Sequence, residues 1–266
     1  MSSNIYIQIA GIIFIFMCYV FFLAQIFKNN SIVDIFWGIG FIVVVAFFNI
    51  TSNSYIDKVT VFTSKDIVNF FIVIWGLRLA IHIYIKNKGQ EEDWRYINFR
   101  KNWIEKKIPQ WLGAFFQVFM LQGVFMFIVA LPIIHVNQYF TPISYFTYFG
   151  IVIWMIGFFF EAVADYQKSQ FKQNPENKDK ILTTGLWKYT RHPNYFGETL
   201  MSWAIFIIAI NFFHPVTTFI NFLSPVTLTW LLTRVSGVPL LESKYKNNEA
   251  YQQYVKNTPS FFPKFW

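Results

Sequence analysis

The densest concentration of chemistry-bearing side chains lies in LTTGLWKYTRHPNYFGETLMSW, residues 182–203. Arg191, His192, Asn194, Tyr195 and Glu198 crowd around Pro193 within about two helical turns. Proline suits the first turn of a helix, and the free backbone N–H groups of that turn attract anions. Arg191 and His192 at such a helix start form a cationic mouth suited to phosphate or carboxylate groups. Asn194 and Glu198 stand four residues apart and share a face, with Tyr195 beside them, so they could hold ligand hydroxyls. The bland alternative, a purely structural helix start, seldom needs this many polar groups in so short a space.

Other ionisable residues sit in or beside apolar runs, where they are costly unless they face a cavity or a partner. Asp34, in SIVDIFWG, is either a functional acid or a charge stabilised by a helix N-terminus. Arg78 and His82 are four apart on one face, lining a cavity or approaching the interface. Glu161, Asp165, Lys168 and Lys172 step by 4, 3 and 4 and form one stripe. That stripe is a salt-bridge ladder or a ligand face, and Glu161 lies too deep in its apolar run to meet lipid. Arg234 lies near the end of the last apolar run. Glu242, Tyr245, Tyr251 and Tyr254 recur at near-helical spacing in the last segment, as a lid over the mouth or as a membrane-surface helix.

Composition determines what must position these groups. Of 266 residues, 55% are apolar, 22% aromatic and 14% charged, with 34 Phe, 14 Tyr and 10 Trp, and mean hydropathy is +0.39. Soluble domains carry about 25% charged residues, so a lipid environment is expected. Cys18 is the single cysteine, which rules out an internal disulfide or a cysteine-based zinc site, and the four histidines lie far apart, so no metal is expected.

Apolar runs able to cross a hydrocarbon core of about 30 Å fall at 5–27, 32–50, 66–86, 111–134, 143–166, 194–212 and 215–235. They predict an all-α integral membrane bundle of seven transmembrane helices, forming one domain over 1–266, with a tail at 236–266. With the N-terminus outside and the C-terminus cytoplasmic, eighteen Lys and Arg fall inside against Lys58 and Lys65 outside, with Arg78 and Arg234 near or within spans. Most of the +8 net charge is thereby topological, and no nucleic acid is expected. Residues 87–110, with Trp94, Tyr96, Phe99 and Trp103 among mixed charges, read as an interfacial helix. The chain lacks GxGxxG, GxxxxGK[ST] and GxSxG, so any nucleotide must be held by helices and loops.

GLWKYTRHPNYFGE (185–198) followed by Trp203 resembles the signature of the membrane steroid 5-alpha-reductase family, in its bacterial branch. The resemblance extends to VDIFWG (33–38), WGLRLAIH (75–82), NKGQEEDWRY (87–96), LQG (121–123), EAVADYQKSQFK (161–172) and the YxxY ending. It implies NADPH-dependent reduction of the C4=C5 double bond of a 3-oxo-4-ene steroid, or of a related enone lipid entering from the bilayer. By the same resemblance Asp165, Lys172, Asn194, Tyr195, Glu198 and Tyr254 match cofactor-site positions. Arg191 and His192 belong to the same block, and Lys188 joins Lys172 and Arg191 as a phosphate partner. Glu161 and Glu242 complete the expected cofactor set.

Asp34 falls where the family holds the steroid 3-oxo group. Hydride addition to an enone builds negative charge on the carbonyl oxygen, so Asp34 in its protonated form is the expected donor. Arg78, His82 and Tyr84 are the candidates for a second donor. A monomer in a bacterial inner membrane, with its cofactor site cytoplasmic, is the expected setting. The same RHPxY-type block also resembles membrane methyltransferases of the isoprenylcysteine carboxyl type, which use S-adenosylmethionine and would take Glu242 as their second acidic position.

Overall fold

The computed structural model describes residues 2–51, 62–178, 180–243 and 245–265, so Lys58 and Lys244 of the charge count lie outside the described residues. Every regular element among the described residues is helical. The chain divides into two compact units, Met1–Pro142 and Ile143–Trp266. Six helical stretches are long and apolar enough to cross a membrane: Ile5–Phe27, Ile32–Thr51, Ser64–Asn87, Gln110–Val129, Tyr145–Gln173 and Pro215–Ser243.

The first unit contains α1 (Ser2–Phe27), α2 (Ile32–Thr51), α3 (Ser64–Asn87), α4 (Trp94–Glu105), α5 (Gln110–Gly113), α6 (Leu121–Val129) and α7 (Leu131–Gln138). A π-helical stretch, Ala114–Met120, joins α5 to α6. Small residues let membrane helices approach closely, and α2 and α3 use this at Gly38 and Gly76. A Cβ on Gly38 would stand 2.6 Å from the Gly76 carbonyl oxygen, and one on Gly76 would stand 2.7 Å from that of Gly38. Asp34 lies one turn before this contact, so its backbone is held by it. Trp103 of α4 fills the space left by Gly113 and donates its indole N–H to Gln117 Oε1 at 2.7 Å. That joins the amphipathic α4 to the α5 end of a membrane-length helix.

The run 111–134 is not one helix. It stops at Ala130, and Pro132, which has no N–H to continue the ladder, sits in the first turn of α7.

The second unit contains α8 (Tyr145–Gln173), α9 (Pro193–Ile208), α10 (Pro215–Asn221), α11 (Leu223–Trp230), α12 (Val238–Ser243) and α13 (Glu249–Asn257). A π-helical stretch, Leu231–Val235, follows α11. The α8 helix runs on from the expected 143–166 as far as Gln173, which keeps the whole acidic-basic stripe helical. Between α8 and α9 the backbones meet at Gly157 and Gly197. The helix expected over 194–212 is 16 residues long, or about 24 Å at 1.5 Å per residue. It is shorter than a hydrocarbon core, which is why six helices and not seven reach spanning length.

Candidate functional site

Two polar clusters emerge, one in each unit. In the first unit, Asp93 caps α4 by accepting from the Arg95 backbone N–H at 3.0 Å. The capped turn then points the Arg95 and Tyr96 side chains at Asp34. Arg95 Nη2 donates to Asp34 Oδ2 at 2.7 Å, and the Tyr96 hydroxyl donates to Oδ1 at 2.7 Å. Gln122 of α6, the Gln of LQG, donates to the phenol oxygen at 3.5 Å.

Tyr96 is only 3% exposed. Burial, and then the Asp34 charge, push its phenol well above the ordinary value. It is therefore a neutral hydroxyl across the physiological range, a hydrogen-bond donor and not an acid. Burial works against the Arg95 charge, but Asp34, Tyr96 and Asp93 outweigh it and hold the guanidinium cationic. Alongside, the Asn30 backbone N–H donates to Glu92 Oε1 at 2.6 Å, and Arg100 clamps Glu92 at 2.8 Å.

This arrangement differs from the expected one. Asp34 accepts two hydrogen bonds, one from a guanidinium, and in this arrangement it donates none. The donors come from α4 and not from α3. Arg78 and His82 are half-buried on α3, and Tyr84 is 55% exposed. Sequence reasoning missed Tyr96 and Arg95 as site residues, although DWRY is among the motifs that carry the resemblance.

The second cluster is built where α9 begins. His192 is its N-cap and Pro193 its first residue, as the sequence indicates. Arg191 is buried, with Nε and Nη2 each 2.9 Å from Glu242 Oε1 and Nη1 donating to the carbonyls of Val255 and Thr258. His192 Nε2 lies 3.0 Å from the same Glu242 oxygen. The Tyr254 hydroxyl donates to the Trp187 carbonyl, and the Thr190 hydroxyl to those of Ser260 and Phe261. Thus residues 254–261 strap the block 187–192. Tyr251 lies against Glu242 and Arg191, and burial followed by the Glu242 charge pushes its phenol up to about 12.

On α8, Glu161 and Asp165 are buried, and Asn194 donates to Asp165 Oδ1 at 3.2 Å. Lys172 and Lys188 are exposed, and Lys168 sits 5.0 Å above the Trp187 ring. Tyr195 stacks on the His192 ring, with centroids 5.6 Å apart, and Glu198 is half-buried one turn further on. The structure therefore brings together Arg191, His192, Glu242 and Tyr254, and separately Asp165 and Asn194. Arg191 spends its donors inside the fold, whereas Lys172 and Lys188 are exposed. The Arg191–Glu242 pair, 51 residues apart, had no signature in the local sequence.

Burial first, then Lys168 and Arg191, hold the His192 imidazole below its ordinary value of 6.5, against the opposing pull of Glu242. The unfolded chain therefore binds this proton more readily than the folded one, so stability is full above pH about 6.5 and falls as pH drops below it. His192→Gln should flatten that part of the profile, as read from unfolding midpoints in detergent between about pH 5 and 8.

Comparisons with known proteins are partial. The chain is 41% identical over 51 residues to a probable O-methyltransferase, ustE, of Ustilaginoidea virens, covering 19% of this chain and 18% of that protein. It is 34% identical over 62 residues to the Delta(14)-sterol reductase erg24 of Schizosaccharomyces pombe, covering 18% and 15%. An uncharacterized S. pombe protein, C594.04c, is 24% identical over 212 residues, covering 68% of this chain and 57% of that one. The chain thus spans less than two thirds of each relative. No solved structure matches. A family described as a protein of unknown function (DUF1295) matches residues 20–258.

Proposed function

Because the chain belongs to the DUF1295 family, whose description assigns no activity, we propose its function from its two clusters: NADPH-dependent reduction of the C4=C5 double bond of a 3-oxo-4-ene steroid or a related enone lipid. The observation that carries this reading is the Tyr96 hydroxyl, buried, neutral and oriented by Asp34. Carbonyl polarisation in a dry site needs such a donor, placed in advance where charge will develop. Arg95 also donates to Asp34, so the phenol can swing its hydrogen from Asp34 to an arriving carbonyl oxygen without leaving Asp34 unpaired. Methyl transfer gives no reason for this cluster.

The second cluster fits a phosphate-bearing dinucleotide by the chemistry of its donor set. Exposed Lys172 and Lys188 suit phosphates, Asp165 and Asn194 suit hydroxyls, and the His192 Nδ1 atom is buried without a partner. NADPH, when bound, supplies the hydride. Glu161, Tyr195, Glu198, Glu242 and Tyr254 shape and hold the site.

In the same reading α9 together with residues 209–212 after it makes a seventh crossing, with the N-terminus outside and the cofactor face cytoplasmic, supported by the eighteen-to-two division of basic residues. The rival reading, an S-adenosylmethionine-dependent methyltransferase, draws on the Glu242 contacts and the similarity to ustE.

Thermal unfolding of the detergent-purified chain with NADPH, NADH and S-adenosylmethionine at matched concentrations separates the two readings. A ligand at 100 times its Kd adds about 2.7 kcal/mol to stability. Stabilisation by NADPH, followed by NADPH oxidation on adding a 4-en-3-one steroid, is the expected result. Stabilisation by S-adenosylmethionine alone overturns it.

A further inference from the structure

His192, Tyr195, Thr199 and Ser202 stand at i, i+3, i+7 and i+10 along α9, so they share one face over about 15 Å. Three polar atoms on this face are buried without a hydrogen-bond partner: His192 Nδ1, Thr199 Oγ1 and Ser202 Oγ. His192 is 4% exposed and Thr199 6% exposed. Helical Ser and Thr hydroxyls ordinarily satisfy themselves on the carbonyl four residues back. Thr229 and Thr233 do so in this unit, donating to Pro225 and Thr229 carbonyls at 2.6 Å. Thr199 and Ser202 do not, although the same bond is open to them.

Leaving a buried polar atom unmet destabilises a fold. Three such atoms on one helix face mark a surface whose partners come from outside the protein. The face is also electrically quiet. Arg191 and Glu242 at its N-terminal end are paired with each other. Lys168, the other cation acting on His192, lies over the Trp187 ring, and burial disfavours the His192 cation. It therefore suits uncharged donor and acceptor groups and not phosphate. The stack of the His192 and Tyr195 rings, with planes 6° from parallel, adds an aromatic face for a planar heterocycle.

We propose that the His192–Tyr195–Thr199–Ser202 face of α9 holds the uncharged nicotinamide-ribose end of the dinucleotide, with Thr199 and Ser202 as binding residues for its amide and hydroxyl groups. This rests on the reductase reading above and extends it inward from the α9 N-terminus. Phosphates stay with the exposed lysines, and the neutral end lies along the helix.

The test compares wild type with Thr199→Val and with Thr199→Val/Ser202→Ala, which keep nearly the same shape. Each is unfolded thermally in detergent alone, with NADPH, and with adenosine 2′,5′-bisphosphate, a fragment that lacks both the nicotinamide and its ribose. The expected result is an unliganded melting temperature equal to or above that of wild type, because unmet polar groups have been removed. The NADPH response falls toward that of the fragment, the fragment response is unchanged, and Kd for NADPH rises roughly tenfold per hydroxyl. Thr229→Val, which removes a satisfied hydroxyl, lowers the unliganded melting temperature and leaves the ligand response alone.

A lower unliganded melting temperature in Thr199→Val overturns the inference, since the hydroxyl then has a partner within the fold. NADPH and fragment responses that fall together, or do not fall at all, overturn it while the reductase reading stands. A wild-type chain stabilised by S-adenosylmethionine and by neither nicotinamide nucleotide nor fragment overturns both.

Discussion

Tyr96→Phe lowers turnover of a 4-en-3-one probe about 10²–10³-fold, the usual cost of removing one preorganised donor to a developing oxyanion. The ring remains, with its edge contact to Phe99 at 6.2 Å, so packing between α4 and its neighbours is kept. The lost hydrogen bond to Asp34 costs about 1 kcal/mol of stability, too little to unfold the chain. Saturating turnover should therefore drop while NADPH-induced stabilisation matches wild type. Unchanged turnover would reduce the hydroxyl to a structural tie between α2 and α4. Asp34→Asn is the less clean variant, because an amide N–H then faces either the Arg95 guanidinium or the Tyr96 hydroxyl.

Gly197→Ala is expected to be the most damaging of the small substitutions. Alanine gains up to about 1 kcal/mol over glycine in a helix interior. Here the added Cβ would stand 2.4 Å from the Gly157 carbonyl oxygen and 2.6 Å from the Glu161 backbone nitrogen. Both neighbours are backbone, so no side chain can turn aside, and α8 must move away from α9. Overpacking of this kind costs about 3 kcal/mol, which outweighs the propensity gain. Separating the helices also draws Asp165 away from Asn194, so ligand-induced stabilisation should vanish along with the lowered unfolding midpoint. Gly11→Ala is the matching control: nothing lies within 4 Å of its Cβ, and its stability should hold or rise slightly.

What could be read along the chain was local. Pro193 announces the start of α9, the apolar runs locate the spanning helices, and the stripe from Glu161 to Lys172 lies on one helix as its spacing requires. The break at Ala130 was visible in principle at Pro132, but uninterrupted hydropathy hides a missing N–H. The partners in each cluster were not legible. Asp34 meets Arg95 and Tyr96 from 61 and 62 residues away, and Arg191 meets Glu242 from 51. Such pairings depend on how helices approach, which glycines at 38, 76, 157 and 197 permit through contacts that no periodicity reports. The direction of a side chain leaving a short capped helix such as α4 is likewise set by its cap and neighbours, so DWRY marked a motif without showing that its Tyr turns toward Asp34.

The strap across the α9 entrance also dictates an order of events during synthesis. Arg191 finds its carbonyl acceptors only at residues 255 and 258, its backbone N–H is taken by Pro259, and the Tyr189 carbonyl waits for the Lys264 N–H. All of these lie more than sixty residues downstream. A nascent chain whose membrane helices are already inserted therefore still carries a buried-type guanidinium without its acceptors. The second cluster closes last, when residues 255–264 have left the ribosome, so a stalled chain stopping before them holds the residues of the site without the site.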